Sequence, residues 1–205
     1  MVGYYVWHRQ LIAKRRFEVA EKTIEIAAKT MDAISRIRQI NVTRTELDAV
    51  VDRSNGAAPD LLPIAKRAAA IGTRIDNEKG VFAELRAAQI VARVHFPKAV
   101  PDAIQTLLNA RRDIQAHLSA YSFAAQAHKR AVDEATRNEY AIQVKRSQDV
   151  LHELRVGIEQ APSEDDKISA RLDEAMRTIT DHCEPLFRDP TFWEFLFKRQ
   201  ASDRS

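Results

Sequence analysis

The chain is poor in everything that usually builds a turn-rich or cross-linked fold. In 205 residues it has one cysteine, five glycines and seven prolines. The lone Cys183 excludes an intramolecular disulfide framework and favours a reducing compartment. Gly3, Gly56, Gly72, Gly80 and Gly157 are never closer than eight residues apart. Neither a GxGxxG loop, nor a GxxxxGK phosphate cradle, nor a GxSxG nucleophile elbow can therefore be written. Aromatics make up only 7% of the chain, and no alternating run of β-branched residues bounded by turns occurs. No uninterrupted apolar stretch approaches the roughly 20 residues of a spanning helix.

What remains is 45% hydrophobic and 30% charged, the balance of a soluble globular protein with a sizeable core. Ala, Arg, Ile, Leu, Val and Glu dominate, so helix is the expected state. Residues 11–40 read as one long helix. Ala13, Phe17, Ala20, Ile24, Ala27, Met31 and Ile34 keep strict 4-3 spacing, flanked by Ile12, Val19, Ile26, Ala33 and Ile40. Started near Tyr5, such a helix is roughly 50 Å long. Thr43 and Glu46 form a capping-box pattern that opens a short helix through about Arg53, ended by Asn55-Gly56 and Pro59.

A second long helix is expected over 60–96, with Leu61, Ile64, Ala68, Ile71, Ile75, Phe82 and Leu85 in the same rhythm. Glu78 falls on that seam, either paired with an arginine or directed outward. Pro97 stops the helix and Pro101 opens the next, whose inner face is Leu107, Ile114, Leu118, Tyr121 and Ala125. The pattern resumes from Val132 to Ile158 after a break placed near 128–132. Pro162 interrupts the chain, and Ser163 with Glu164, Asp165 and Asp166 signals a helix start. Ile168, Leu172, Ala175, Met176, Ile179 and Cys183 then form an apolar face that Pro185 ends. The expected fold is all-α: a single domain, 1–205, built as an elongated antiparallel helical bundle of long coiled-coil-like helices. The first and second long helices should pack antiparallel, with the later ones covering them.

Metal and nucleophile chemistry find little support. No histidine has a glutamate three residues before it, as a helical di-iron site requires; only Asp149 precedes His152 at that spacing. His117 and His128 share a helix face but lie roughly 16 Å apart along it. No metal and no cofactor is expected. Cys183 reads as a buried inert thiol. Asn41-Val42-Thr43 is a formal glycosylation triplet whose threonine already has a capping role. The basic pairs Lys66-Arg67, Arg111-Arg112, Lys129-Arg130 and Lys145-Arg146 are diluted by acids and lack interleaved aromatics, so nucleic acid is disfavoured as a partner.

Charge is polarised along the chain. Residues 1–40 carry Arg9, Lys14, Arg15, Arg16, Lys22, Lys29, Arg36 and Arg38 against Glu18, Glu21, Glu25 and Asp32. Tyr4, Tyr5 and Trp7 precede the basic cluster Arg9, Lys14, Arg15 and Arg16. At the other end Phe192, Trp193, Phe195 and Phe197 precede Lys198 and Arg199. Aromatic residues followed by basic ones mark a membrane–water interface; the alternative is that the two aromatic clusters pack on each other or cap the bundle. Residues 1–10 are thus a candidate membrane-proximal segment, and 186–205 an aromatic-basic tail.

The run Lys14-Arg15-Arg16-Phe17-Glu18-Val19-Ala20-Glu21-Lys22, continuing to Asp32 and Ile37-Arg38, resembles the opening of a group of bacterial all-helical proteins. Glu78, Phe82 and Leu85, then Asp165-Asp166 through Ile168 and Arg171 to Cys183 and Pro185, are similar to its later helices. The resemblance carries no activity. It implies an N-terminal hydrophobic segment ahead of the basic helix, whereas Met1 to Trp7 offers seven residues here. The chain as given is therefore expected not to cross a bilayer, but to serve as the cytoplasmic end of a chain that does, or to lie against the inner membrane.

Three readings of function follow. The first is a non-catalytic interaction or scaffold protein, binding a protein partner or itself through helical seams and apposed to an anionic membrane. The second is a ligand-binding or enzymatic bundle whose pocket uses Tyr121, Tyr140 or a buried histidine. The third is weak nucleic-acid binding, resting on the pI of about 9.1 alone.

Overall fold

The computed structural model describes residues 2–39, 41–48, 62–135, 141–158 and 166–188. They form eight helices and, among the described residues, no strand: α1 Val2–Ile37, α2 Arg44–Asp48, α3 Leu62–Asn77, α4 Lys79–His95, α5 Ala99–Ala135, α6 Ala141–Ile158, α7 Lys167–Cys183 and α8 Pro185–Arg188. The protein is an all-α helical bundle.

Helix α1 carries the 4-3 seam. Ala20, Ala27 and Ile34 are buried, with Ile24 and Met31 packed against the same core. Two threonines on its inner side are also buried. Thr23 and Thr30 donate their hydroxyls to the carbonyls of Val19 and Ile26, at 2.7 and 2.8 Å, so neither leaves an unmet polar group inside. The capping box at Thr43 forms as its spacing requires: Thr43 N donates to Glu46 Oε2 at 2.8 Å, and Glu46 N to Thr43 Oγ1 at 3.3 Å. Residues 49–61, including the expected end of α2 and the expected start of the second long helix, lie outside the described residues.

The second long helix is two helices, not one. The helix is interrupted at Glu78, whose φ of −90° and ψ of 3° lie in the bridge region between helix and strand. There the bond pattern shortens to three residues, Val81 N to Glu78 O at 3.1 Å. The carboxylate explains why the break sits at this residue. Arg36 of α1 donates to it through Nε at 2.7 Å and Nη2 at 3.1 Å, a two-point clasp that draws the seam glutamate sideways. At the opposite end of the pair, Arg16 Nη2 donates to the carbonyl of His95 at 3.2 Å. The two contacts make α1 and α4 antiparallel.

Phe96 is extended (φ −124°, ψ 158°), the conformation favoured before Pro97, and that ends α4. Helix α5 then runs to Ala135, past the break expected near 128–132. Nothing between Pro101 and Gly157 supplies a proline or glycine to stop it. Helix α6 returns along α5, with His128 Nδ1 and Ser147 Oγ 2.6 Å apart. Helix α7 starts at Lys167, directly after Asp166, the last of the residues expected to signal its start. Asp166 is the residue whose side chain accepts the backbone N–H of Ser169, at 3.1 Å; 159–165 lie outside the described residues. Arg171 reaches Asp113 of α5 at 2.9 Å. Pro185 ends α7 as expected, and begins α8.

Helices α1, α4, α5 and α7 share one core built on Ile26, Ile34, Leu85, Leu107, Ile114 and Ile179, which Ile71 and Ile75 of α3 and Ile158 of α6 join. Ile75 is 3% exposed and Ile24 only partly buried. Replacing Ile75 with Asp should cost about 2–4 kcal/mol, as an uncompensated charge in an apolar setting, and Ile24→Asp less. Urea denaturation of both variants checks the order; equal stability of Ile75→Asp and the parent chain would place the buried face elsewhere.

Candidate interaction surface

The core does not reach Leu11 to Arg16 of α1. From Phe17 onward the helix is packed, whereas Leu11 to Arg16 are exposed. Ile12 and Ala13 sit on the expected seams yet face water, because α4 has already ended against Arg16 at His95. On the other side, Phe187 of α8 meets Phe17 edge-on, ring centres 4.8 Å apart. The first turns of α1 thus reach past the helices that cover the rest of it.

Of seven large apolar side chains exposed among the described residues, Trp7 (48%), Leu11 and Ile12 lie on the first turns of α1, and Ile90 and Val94 (79%) on the second half of α4, whose end meets Arg16. Lys14, Arg15 and Arg16 are exposed beside them, and Arg93 and Lys98 add charge from α4 and the turn after it. Lys14 and Arg15 lean on a single acid, Glu18, at 3.9 and 3.4 Å. Tyr4, Tyr5 and Arg9 belong to α1, with side chains outside the described positions. Phe192, Trp193, Phe195, Phe197, Lys198 and Arg199 lie outside the described residues altogether. The Phe17–Phe187 contact nevertheless brings α8, which ends at Arg188, to this end of the bundle. The α4 contribution escapes a search for inward-facing seams. Its signal is the i, i+4 pair Ile90 and Val94, on the side opposite Leu85 and Ala92.

At the far end of α1, two arginines organise the polar groups of the bundle. Arg38 is buried, its side chain 1% exposed. It donates through Nη2 to Asp166 Oδ1 at 2.8 Å, through Nη1 to Ser169 Oγ at 2.9 Å and through Nε to the Ile158 carbonyl at 3.3 Å. Ser169 Oγ donates in turn to Asp166 Oδ2 at 2.7 Å. Burial pushes the Asp166 carboxyl up, but the bonds from Arg38 and Ser169 outweigh it and hold the group below the ordinary aspartate range. Arg74 of α3 clasps Glu46 at 2.7 and 2.9 Å and also donates to the carbonyls of Gln39 and Asn41, both at 2.8 Å. That clasp, with help from Thr43, lowers the Glu46 carboxyl to about 2.

These groups converge, but on each other. Every guanidinium bond named here ends on a protein acceptor. A groove of about 420 Å³ does run between α1 and α4, with Val19, Thr23, Ile26, Ala88 and Val91 among its walls. Thr23 spends its hydroxyl on the Val19 carbonyl, so the groove offers apolar surface with charges at its rim. Tyr121 packs against the core away from it, and Tyr140 lies outside the described residues. The Nδ1 atoms of His117 and His182 donate to carbonyls of their own helices, at 2.7 and 2.8 Å. Cys183 is fully buried and its thiol is pushed up to about 11, so thiolate is scarce at neutral pH. Among the described residues no three His, Cys, Asp or Glu side chains could hold a metal ion. No helix among them is long and apolar enough to cross a membrane. Comparison with family models, curated proteins and solved structures finds no match to this chain.

Two predictions follow from the polar clusters. Asp166→Ala strands the buried Arg38 and removes the α7 cap together, and should cost about 3–5 kcal/mol in chemical denaturation. Asp166→Asn, which keeps the cap, should recover part of that loss. Separately, Glu46 and Asp166 are both more acidic folded than unfolded, so the unfolded chain binds more protons in acid. Their stabilisation is complete above the unfolded carboxylate range and is lost as pH falls, for Glu46 from about 4.5 to about 2. Urea midpoints measured across that window should fall more steeply for the parent chain than for Glu46→Gln.

Proposed function

We propose that this protein is a non-catalytic interaction module that sets one end of its helical bundle against an anionic membrane surface. The observation that carries the reading is the exposure of Trp7, Leu11 and Ile12 beside Lys14 and Arg15 on the first turns of α1, with Ile90, Val94, Arg93 and Lys98 exposed on the second half of α4 and the turn after it, whose end meets Arg16. Apolar side chains able to enter the headgroup region, ringed by cations, are what an interfacial contact needs. The geometry suits shallow contact: the apolar residues crown the bundle end, and α1 leads directly into it. A partner helix is accommodated by the same face, since exposed apolar patches rimmed by charge also mark protein contacts.

Each basic residue near an anionic leaflet contributes about 1 kcal/mol, so affinity should be weak and salt-sensitive. The full chain should sediment with phosphatidylglycerol-containing liposomes at low salt and be released as salt rises. Lys14→Glu with Arg15→Glu should weaken binding at least about tenfold. This pair leaves Arg16 in place to hold the His95 carbonyl. A chain that ignores such liposomes at low salt contradicts the reading.

A further inference from the structure

We propose that the groove between α1 and α4 binds a monomeric fatty carboxylate, its alkyl chain laid along the groove and its carboxylate at Arg15. The groove runs from Arg15 to Ile26 on α1 and from Val91 back to Glu84 on α4. Its volume of about 420 Å³ falls within the roughly 300–1,000 Å³ of small-molecule sites. Val19, Ile26, Ala88 and Val91 give it apolar walls. Thr23 brings a hydroxyl, but that donates to the Val19 carbonyl at 2.7 Å. A hydrocarbon is the occupant these walls match.

Shape narrows the choice. Arg16 holds the His95 carbonyl and Arg36 clasps Glu78, so α1 and α4 touch both before and beyond the groove. Helices packed in this way lie about 8–10 Å apart, and the furrow between them seats one extended chain. A partner helix, about 10–12 Å across, would ride over the furrow and leave its floor unfilled. Arg15 to Ile26 spans about 16 Å of helix. An extended chain advances about 1.2 Å per bond, so about 13 bonds fill that length.

Charge sets the direction. Lys14 and Arg15 share the single carboxylate of Glu18, at 3.9 and 3.4 Å, which leaves an excess of cation at this end. The Arg15 side chain is 61% exposed and its bond to Glu18 is long, so the guanidinium is free to turn and take a second carboxylate on two points. Toward the other end stands Glu84, whose charge acts on Lys29 and repels an anionic head there. The site lies along the flank of the two helices and needs no bilayer, so it goes beyond the membrane reading and holds without it.

Dodecanoate below its micellar concentration is the probe, titrated into the full chain by calorimetry. One equivalent should bind, and affinity should rise about tenfold for every two methylenes added from octanoate to dodecanoate. Dodecyltrimethylammonium, with the same tail and a cationic head, should bind at least tenfold more weakly. Ala87→Phe fills the groove from an exposed position on its wall and should weaken dodecanoate binding at least tenfold, with helicity unchanged. Arg15→Gln should weaken it about threefold or more and keep the dependence on chain length. Absence of saturable binding, equal affinity for the cationic analogue, or full affinity in Ala87→Phe overturns the proposal. A parent chain that ignores dodecanoate and sediments as a dimer, made monomeric by Ala87→Phe, overturns it in favour of a second copy. Phosphatidylglycerol liposomes keep the two readings apart, since Ala87→Phe should still sediment with them. Dodecanoate binding without liposome binding removes only the membrane reading, and liposome binding without dodecanoate binding removes only this one.

Discussion

The buried pair of Arg38 and Asp166 is the contact on which the arrangement of this bundle turns. Taking a guanidinium and a carboxylate out of water costs several kcal/mol per ion, and their mutual attraction offsets that only where further hydrogen bonds fill the remaining positions. Here they do. Arg38 also holds the Ile158 carbonyl, and Asp166 also accepts from the backbone and hydroxyl of Ser169. The Ile158 carbonyl belongs to the negative end of α6, and Asp166 caps the positive end of α7, so each helix dipole meets the charge it prefers. One side chain on α1 thereby ties Ile158 of α6 to the start of α7.

That pin acts at a distance. Helix α7 is 17 residues, about 25 Å, and runs antiparallel to α1 from Arg38. Setting its start opposite Arg38 brings Pro185–Arg188 opposite Phe17, beside the exposed turns of α1. The bundle is polarised as a result. At one end charges are buried and matched; at the other, apolar side chains are exposed among cations.

Much of this was legible in the residues, and what was missed has physical causes. The 4-3 spacing of α1, the Thr43–Glu46 box and the apolar face from Ile168 to Cys183 all express local periodicity and capping, which a linear pattern carries. Glu78 was visible as a misfit on its seam, but the break it makes depends on Arg36, forty-two residues away. The end of α5 was misplaced because an alanine-rich stretch without proline or glycine holds no mark of where it stops. Arg38 is the instructive case. It occupies the next 4-3 position after Met31 and Ile34, so the seam itself pointed to burial. Set among eight basic residues in the first forty, it looked like one more solvated charge. Ile90 and Val94 were overlooked for the opposite reason: attention to inward faces passes over apolar residues on the outward one.

The central claim is that contact with a partner surface is confined to one end of a polarised bundle, and hydrogen exchange reports on that end by position. The amides of residues 11–16 belong to turns with little tertiary cover and should exchange early, as should those of the last turn of α4. On adding phosphatidylglycerol vesicles to the full chain at low salt, protection should rise in these two segments and stay constant around Arg38, Asp166 and Glu46. Slowed exchange around the Arg38 junction instead, or no slowing anywhere while the protein is vesicle-bound, would contradict the account.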